Sequence, residues 1–185
     1  MYITLLYVTL LINCHLTDTK TVIIEIGGNL DSILPPPDPS VSVVVFEPLP
    51  HVAAQIEEVA RRHVVAAAVS DRSGLSVMTM YNDHGLSSSL ADVSYRDARW
   101  NSGRDTDGKR VIVPCVALQD VLAAIPAAVR IWVLKTDMQG LDFRAVQSAG
   151  RLIQRVPYLV TEVSHDNVHA YDGSSNVRMY ETVCV

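Results

Sequence analysis

Thr21-Val22-Ile23-Ile24-Glu25-Ile26-Gly27-Gly28-Asn29 is the stretch that decides the fold. Its first six residues are β-branched or apolar except for one glutamate, and the run stops at paired glycines. A near-continuous apolar run bounded by a turn is the pattern of a strand buried on both faces, as in a parallel sheet. The pattern recurs along the chain. Val41–Phe46 reads as a second strand, closed by Glu47-Pro48. Val64–Val69, Leu75–Tyr81, Val111–Val116, Val129–Thr136 and Tyr158–Val163 read as further extended segments. His51–Arg62 has Val52, Ile56 and Val59 on one face and Glu57, Glu58, Arg61 and Arg62 elsewhere, the pattern of an amphipathic helix. Leu118–Ile125 and Leu141–Arg155 read as helices too. Pro35-Pro36-Pro37 with Asp38-Pro39 marks a loop, Ser70–Gly74 a turn, and Asn82–Asp107 the least regular part. Strands alternating with helices predict an α/β fold with a Rossmann-like, mostly parallel, doubly wound sheet. Right-handed crossovers bring the C-terminal ends of the strands to one edge, where such sheets bind ligands.

The chain has 185 residues, the size of one domain, and a net charge of −5. No basic stripe is present to hold a polyphosphate backbone, so the expected partner is a small molecule and not nucleic acid. Cys14, Cys115 and Cys184 lie far apart without a C-x-x-C pair, which argues against a disulfide framework or a thiolate zinc site and suits a reducing compartment. Residues 1–20 stand apart in composition. Tyr2–Cys14 is almost wholly apolar, yet shorter than the roughly 20 residues a membrane-spanning helix needs. Met1 is followed by no Lys or Arg, and Asn13-Cys14-His15 is a poor cleavage site. The segment is read as an element flanking the sheet or as a targeting signal, with no stable membrane span. The cytoplasm is the expected location, and residues 21–185 carry the functional domain.

Three carboxylates fall at the predicted ligand edge: Glu25 in the first strand, Glu47 after the second, and Asp137 after the Val129–Thr136 strand. An acid at the end of the second strand, about 20 residues beyond the glycine turn, is where such folds hold ribose hydroxyls. The turn itself reads E-I-G-G-N-L-D and not G-x-G-x-x-G, and three prolines follow it. A pyrophosphate wants glycine-lined amides at a helix N-terminus. Glu25 and Asp31 instead bring negative charge to the mouth of the loop, which suits a ligand carrying an ammonium and a sulfonium. The cofactor expected on these grounds is S-adenosyl-L-methionine, with a NAD(P)-dependent oxidoreductase as the less favoured reading.

The sequence resembles the FkbM-like methyltransferases through motifs that occur in order. They are Ile24-Glu25-Ile26-Gly27-Gly28-Asn29, Phe46-Glu47-Pro48, Ala68-Val69-Ser70-Asp71 with Gly74, Gly85-Leu86-Ser87-Ser88-Ser89, Val113-Pro114 followed by Leu118–Leu122, Lys135-Thr136-Asp137-Met138-Gln139-Gly140-Leu141-Asp142, and Thr161-Glu162. The resemblance implies a Rossmann-like class I methyltransferase that methylates a hydroxyl of a sugar, polyketide or other small metabolite. It implies that Glu25, Gly27 and Asn29 contact the methionine part of the cofactor, with Gly28 also cofactor-binding, that Glu47 holds the ribose, and that Ser70 and Asp71 lie beside the adenine. Asp137 would face the transferred methyl as a general base, with Lys135 pairing with it or orienting a substrate oxygen.

This chain departs from the resemblance at several positions. Asp31 stands near the glycine turn, a proline run replaces the first helix, and Gln139 and Asp142 stand where the family usually has Glu. The chain ends soon after Glu162, which leaves little room for the antiparallel hairpin that closes such sheets, so the sheet is read as truncated at its C-terminal end or divergent. A catalytically silent nucleoside-binding relative is the alternative function. The structural alternatives are strand-end ion pairs for Glu25 and Glu47, a helix cap for Asp137, a polar loop for Ser87–Ser89, and a solvated surface group for Lys135. Glu162, His165 and His169 would share a face only on a helix; a loop is expected there, and no metal site.

Overall fold

The long Val- and Ile-rich runs do form strands, and five of them build one parallel sheet. The computed structural model describes residues 2–57, 59–80, 88–90 and 108–161. In chain order the elements are α1 (Tyr2–His15), β1 (Thr21–Ile26), β2 (Val41–Phe46), α2 (Pro50–Ala53), β3 (Arg62–Val65), β4 (Ala68–Ser70), β5 (Gly74–Met80), β6 (Lys109–Ala117), α3 (Leu118–Ala124), β7 (Arg130–Thr136), α4 (Asp142–Ser148), a 3-10 helix (Gly150–Arg155) and β8 (Tyr158–Thr161). The main sheet has the order β3-β2-β1-β7-β8, with every neighbouring pair parallel. The chain therefore builds outward from β1 to β3, then returns to lay β7 on the other side of β1. The reversal of strand order falls between β1 and β7, the position where open α/β sheets bind ligands.

The sheet is mostly parallel with flanking helices, as the alternating pattern predicts. Val22, Ile24, Ile26, Val44, Phe46, Ile131 and Leu134 point into one buried layer with residues of α1, α3 and α4. Each such side chain stabilises the fold by about 1.5–3 kcal/mol on full burial. Val8 and Ile12 of α1 and Leu16 just beyond its end belong to that layer at four-residue spacing, while Leu6 and Leu10 stay exposed. The apolar N-terminal segment thus packs as a layer of the sheet. The opposite sheet face, Ile23, Val41, Val43 and Val45 with Val64 and Val133, is covered by Ile33 and Ile56, so loop residues stand where a second helical layer would lie. Among the described residues no helix is long and apolar enough to cross a membrane.

Several boundaries differ from the sequence expectation. The helix expected over His51–Arg62 is one turn, because Ile56 turns inward to fill the sheet face and the arginines serve elsewhere. Arg61 donates to the carbonyls of Pro36, Asp38 and Val41, and Arg62 is buried at the start of β3, bonded to Ser32 and to the Glu57 carbonyl. These two side chains hold the proline loop in place of a first helix. The strand expected over Val64–Val69 is two strands in different sheets. Ala66-Ala67 carries a tight turn, with Ala67 N donating to Val65 O at 2.9 Å, and β4 leaves for a second sheet of order β4-β6-β5. There β5 and β6 pair antiparallel, and β4 and β6 parallel. The helix expected over Leu141–Arg155 breaks at Gly150, whose φ is 53°, and continues as the 3-10 turn. Glu58, residues 81–87 and 91–107, Glu162, His165, His169 and Cys184 lie outside the described residues.

Candidate functional site

The turn after β1 is wedged between two neighbouring strands, and this fixes the site. Gly27 N and Gly28 N donate to Phe46 O of β2 at 2.9 and 3.3 Å, while Asp137 N donates to Ile26 O at 3.0 Å. Gly27 has φ 77°, and a Cβ there would lie 2.1 Å from the Asp137 carbonyl oxygen. A Cβ on Gly28 would meet Val45 Cγ1 at 2.3 Å. Both glycines are therefore demanded by close packing of the strand ends, with Gly27 also in a backbone region unfavourable to other residues. Asn29, at φ 44°, continues the turn in the left-handed region that Asn tolerates better than most.

A cleft opens at this edge, lined by Gly27 and Asn29 from the turn, Phe46, Glu47 and Pro48 after β2, Ala67–Val69, Met78, Ser88, Leu90, and Asp137–Gln139 with Leu141. The space within it, open solvent at its mouth included, is about 670 Å3. Its two ends differ. Gly27, Asn29, Asp137 and Gln139 make a polar end at the β1–β7 junction. Phe46, Pro48, Ala67, Ala68, Val69 and Met78 make an apolar wall. Glu47 stands between them, 4 % exposed. Its Oε2 accepts the Asn29 N–H at 3.1 Å and its Oε1 the Leu49 N–H at 2.9 Å. A carboxylate has about four acceptor positions, so each oxygen retains one for a ligand.

Of the residues singled out from the sequence, Gly27, Asn29, Glu47 and Asp137 meet in the cleft. Glu25 does not line it. Its fully buried carboxylate lies on the other sheet face, accepting Lys135 Nζ and Ile33 N–H, each at 2.6 Å. Lys135 accordingly pairs with Glu25 and not with Asp137. Gly28 packs against β2 beneath the cleft. Ser70 is buried with its hydroxyl 3.2 Å from Cys115 Sγ, and the Asp71 carboxylate is 2.6 Å from Arg144; their neighbours Ala68 and Val69 are the lining residues. Asp31 is exposed and outside the lining.

The loop after β7 carries features the sequence reading did not anticipate. Gln139 adopts φ 51° and donates from Nε2 to Asp137 Oδ1 at 2.6 Å, which orients that carboxylate. Ser89 Oγ donates to the Gln139 carbonyl at 2.7 Å and pins the Ser88–Leu90 segment against the loop. Asp142, 2 % exposed, accepts the Met138 N–H on both oxygens at 3.2 and 3.3 Å. The only sequence signals were the Ser run and the Asp at the start of a helix, both common in plain loops and caps.

Burial pushes the carboxyls of Glu47 and Asp142 above their ordinary values of 4.5 and 3.8. For Glu47 the N–H groups of Leu49 and Asn29, and nearby His51, oppose the rise. For Asp142 the opposing groups are Thr136, Met138 N–H and its own N–H, while Asp137 adds to it. A carboxyl raised in the folded state keeps its proton after the unfolded chain has lost it, so stability falls as pH rises through that window and levels off above the folded value. We expect Asp142→Asn, which cannot titrate, to gain stability relative to the parent as pH rises from about 4 to neutral. Urea unfolding of both proteins across that range checks it; a stability difference independent of pH would contradict the assignment.

The parallel sheet with its cleft at the strand-order reversal defines a Rossmann-like α/β protein. A profile of the methyltransferase FkbM domain matches residues 38–183, and the chain belongs to this family. Comparisons with characterised proteins and with solved structures return no significant match.

Proposed function

We propose that the chain is an S-adenosylmethionine-dependent O-methyltransferase acting on a hydroxyl of a small molecule. The observation that carries this reading is the cleft's donor set. Two carboxylates, Glu47 and Asp137, line it, and among its described lining residues there is no Lys, Arg or His. Such a lining repels a dinucleotide pyrophosphate and suits a cationic nucleoside. The residues present fit that group. Glu47 keeps one acceptor position on each oxygen for ribose hydroxyls, the apolar wall of Phe46, Pro48 and Ala67–Val69 accepts a purine face, and Gly27 and Asn29 border the amino-acid end.

When bound, S-adenosylmethionine supplies an electrophilic methyl group on a sulfonium and leaves as a neutral thioether. The protein's own contribution is positioning and proton transfer. Asp137 projects from the end of β7 into the polar end of the cleft, its carboxylate oriented by Gln139. There it accepts the proton of the acceptor hydroxyl as the oxygen–carbon bond forms, so the new ether is released neutral. Holding the acceptor oxygen in line is the larger part of the rate gain in such displacements.

Calorimetric titration with S-adenosylmethionine, with NAD as the control, tests the reading. Saturable binding of the sulfur nucleoside alone is expected. Glu47→Ala should weaken it by about tenfold or more, since hydrogen bonds to a charged group contribute about 1.5–3 kcal/mol. Binding of NAD in preference would overturn the assignment.

A further inference from the structure

Ser88 lines the cleft at 6 % exposure, and among the described residues its hydroxyl is the one buried side-chain polar atom with no hydrogen-bond partner. A hydroxyl buried without a partner costs stability, and such groups in folded proteins call for an explanation. The next residue explains why Ser88 stays where it is. Ser89 is anchored twice, by its hydroxyl to the Gln139 carbonyl at 2.7 Å and by backbone pairing with Thr79 at 2.9 and 3.1 Å. Ser89 thus holds the segment carrying Ser88 beside the Asp137–Gln139 loop, with Ser88 in the cleft lining.

We infer that the Ser88 hydroxyl donates a hydrogen bond to the α-carboxylate of the methyl donor. This rests on the S-adenosylmethionine reading above. That carboxylate must be met somewhere, and the described lining offers it no cation. Of the neutral donors near it, Gln139 Nε2 already donates to Asp137 Oδ1 and the Asn29 backbone N–H to Glu47. Asp137 and Glu47 would repel it. A hydroxyl is the group that can approach a carboxylate within an acidic lining, because it supplies a proton without adding charge. The ligand's carboxylate would give the buried Ser88 hydroxyl the partner it lacks among protein groups.

The test compares the parent protein with Ser88→Ala in two measurements. S-adenosylhomocysteine affinity by calorimetry should fall about tenfold in the variant, as expected for a hydrogen bond to a charged acceptor. Affinity for 5′-methylthioadenosine, which lacks the amino-acid portion, should stay within about twofold. The thermal midpoint without ligand should hold or rise, because the substitution removes a buried unpaired hydroxyl. An unchanged S-adenosylhomocysteine affinity overturns the inference, as does an equal loss for both nucleosides or a lowered midpoint, which would mark a structural role. If the parent binds neither nucleoside, the cofactor reading itself falls and this inference with it; if the parent binds and the variant binds equally well, only this inference falls.

Discussion

Gly27→Ala is expected to lower the thermal midpoint by roughly 6–12 °C and to weaken nucleoside binding more than tenfold. The new methyl group would lie 2.1 Å from the Asp137 carbonyl oxygen, far inside contact distance, and φ 77° is strained for any residue with a side chain. The obstacle is backbone, so it cannot rotate away. Either the β1 turn or the β7 loop must move, and both carry cleft residues. A cost of about 3 kcal/mol corresponds to that shift in a domain of this size. Differential scanning calorimetry and a titration with S-adenosylhomocysteine check the two effects. A midpoint within a degree of the parent would mean that the turn and the β7 loop are not packed as described.

Asp137→Asn carries the largest expected effect on catalysis. The substitution keeps the shape of the side chain and an oxygen for Gln139 Nε2 to donate to, but removes the proton acceptor. Once a set of alcohols and sugars has been screened for an acceptor with methyl-labelled S-adenosylmethionine, the variant's kcat should fall at least about 100-fold. Its affinity for S-adenosylhomocysteine should remain within about threefold, since the neutral thioether makes no ion pair with that carboxylate. A variant retaining half the parental rate would remove Asp137 from the chemistry.

The layout of the main sheet was legible because it depends on strand periodicity. Thr21–Ile26 and Val41–Phe46 are strands to the residue, since apolar runs closed by Gly-Gly and Glu-Pro leave little freedom. The split at Ala66-Ala67 was not legible, because a six-residue apolar run looks the same whether it serves one sheet or two. The helix over His51–Arg62 failed for a related reason. The positions that mimic a polar helix face, Arg61 and Arg62, are used to tie down the proline loop, a tertiary demand invisible to local pattern.

At the site, the sequence placed Gly27, Asn29, Glu47 and Asp137 at one edge because each ends a strand or begins the turn that follows it. Glu25 misled because it lies one position before that end, and alternation along β1 sends its side chain to the opposite face, toward Lys135. Ser88 is placed by its neighbour's contact with Gln139, fifty residues from Ser89, and Gln139 and Asp142 act through a left-handed turn and the backbone N–H it presents, and neither leaves a spacing signature. Lys135 lies two residues before Asp137, yet its partner is the carboxylate across the β1–β7 register, where Glu25 faces Lys135 directly.

The central claim is that this cleft is the methyl-donor site, and the most direct measurement is a crystal structure of the complex with S-adenosylhomocysteine. The nucleoside is expected in the cleft, its ribose hydroxyls on Glu47, its purine against Phe46 and Ala67–Val69, and its sulfur at the Asp137 end. A ligand bound elsewhere, or bound in the cleft with the ribose away from Glu47, would contradict it.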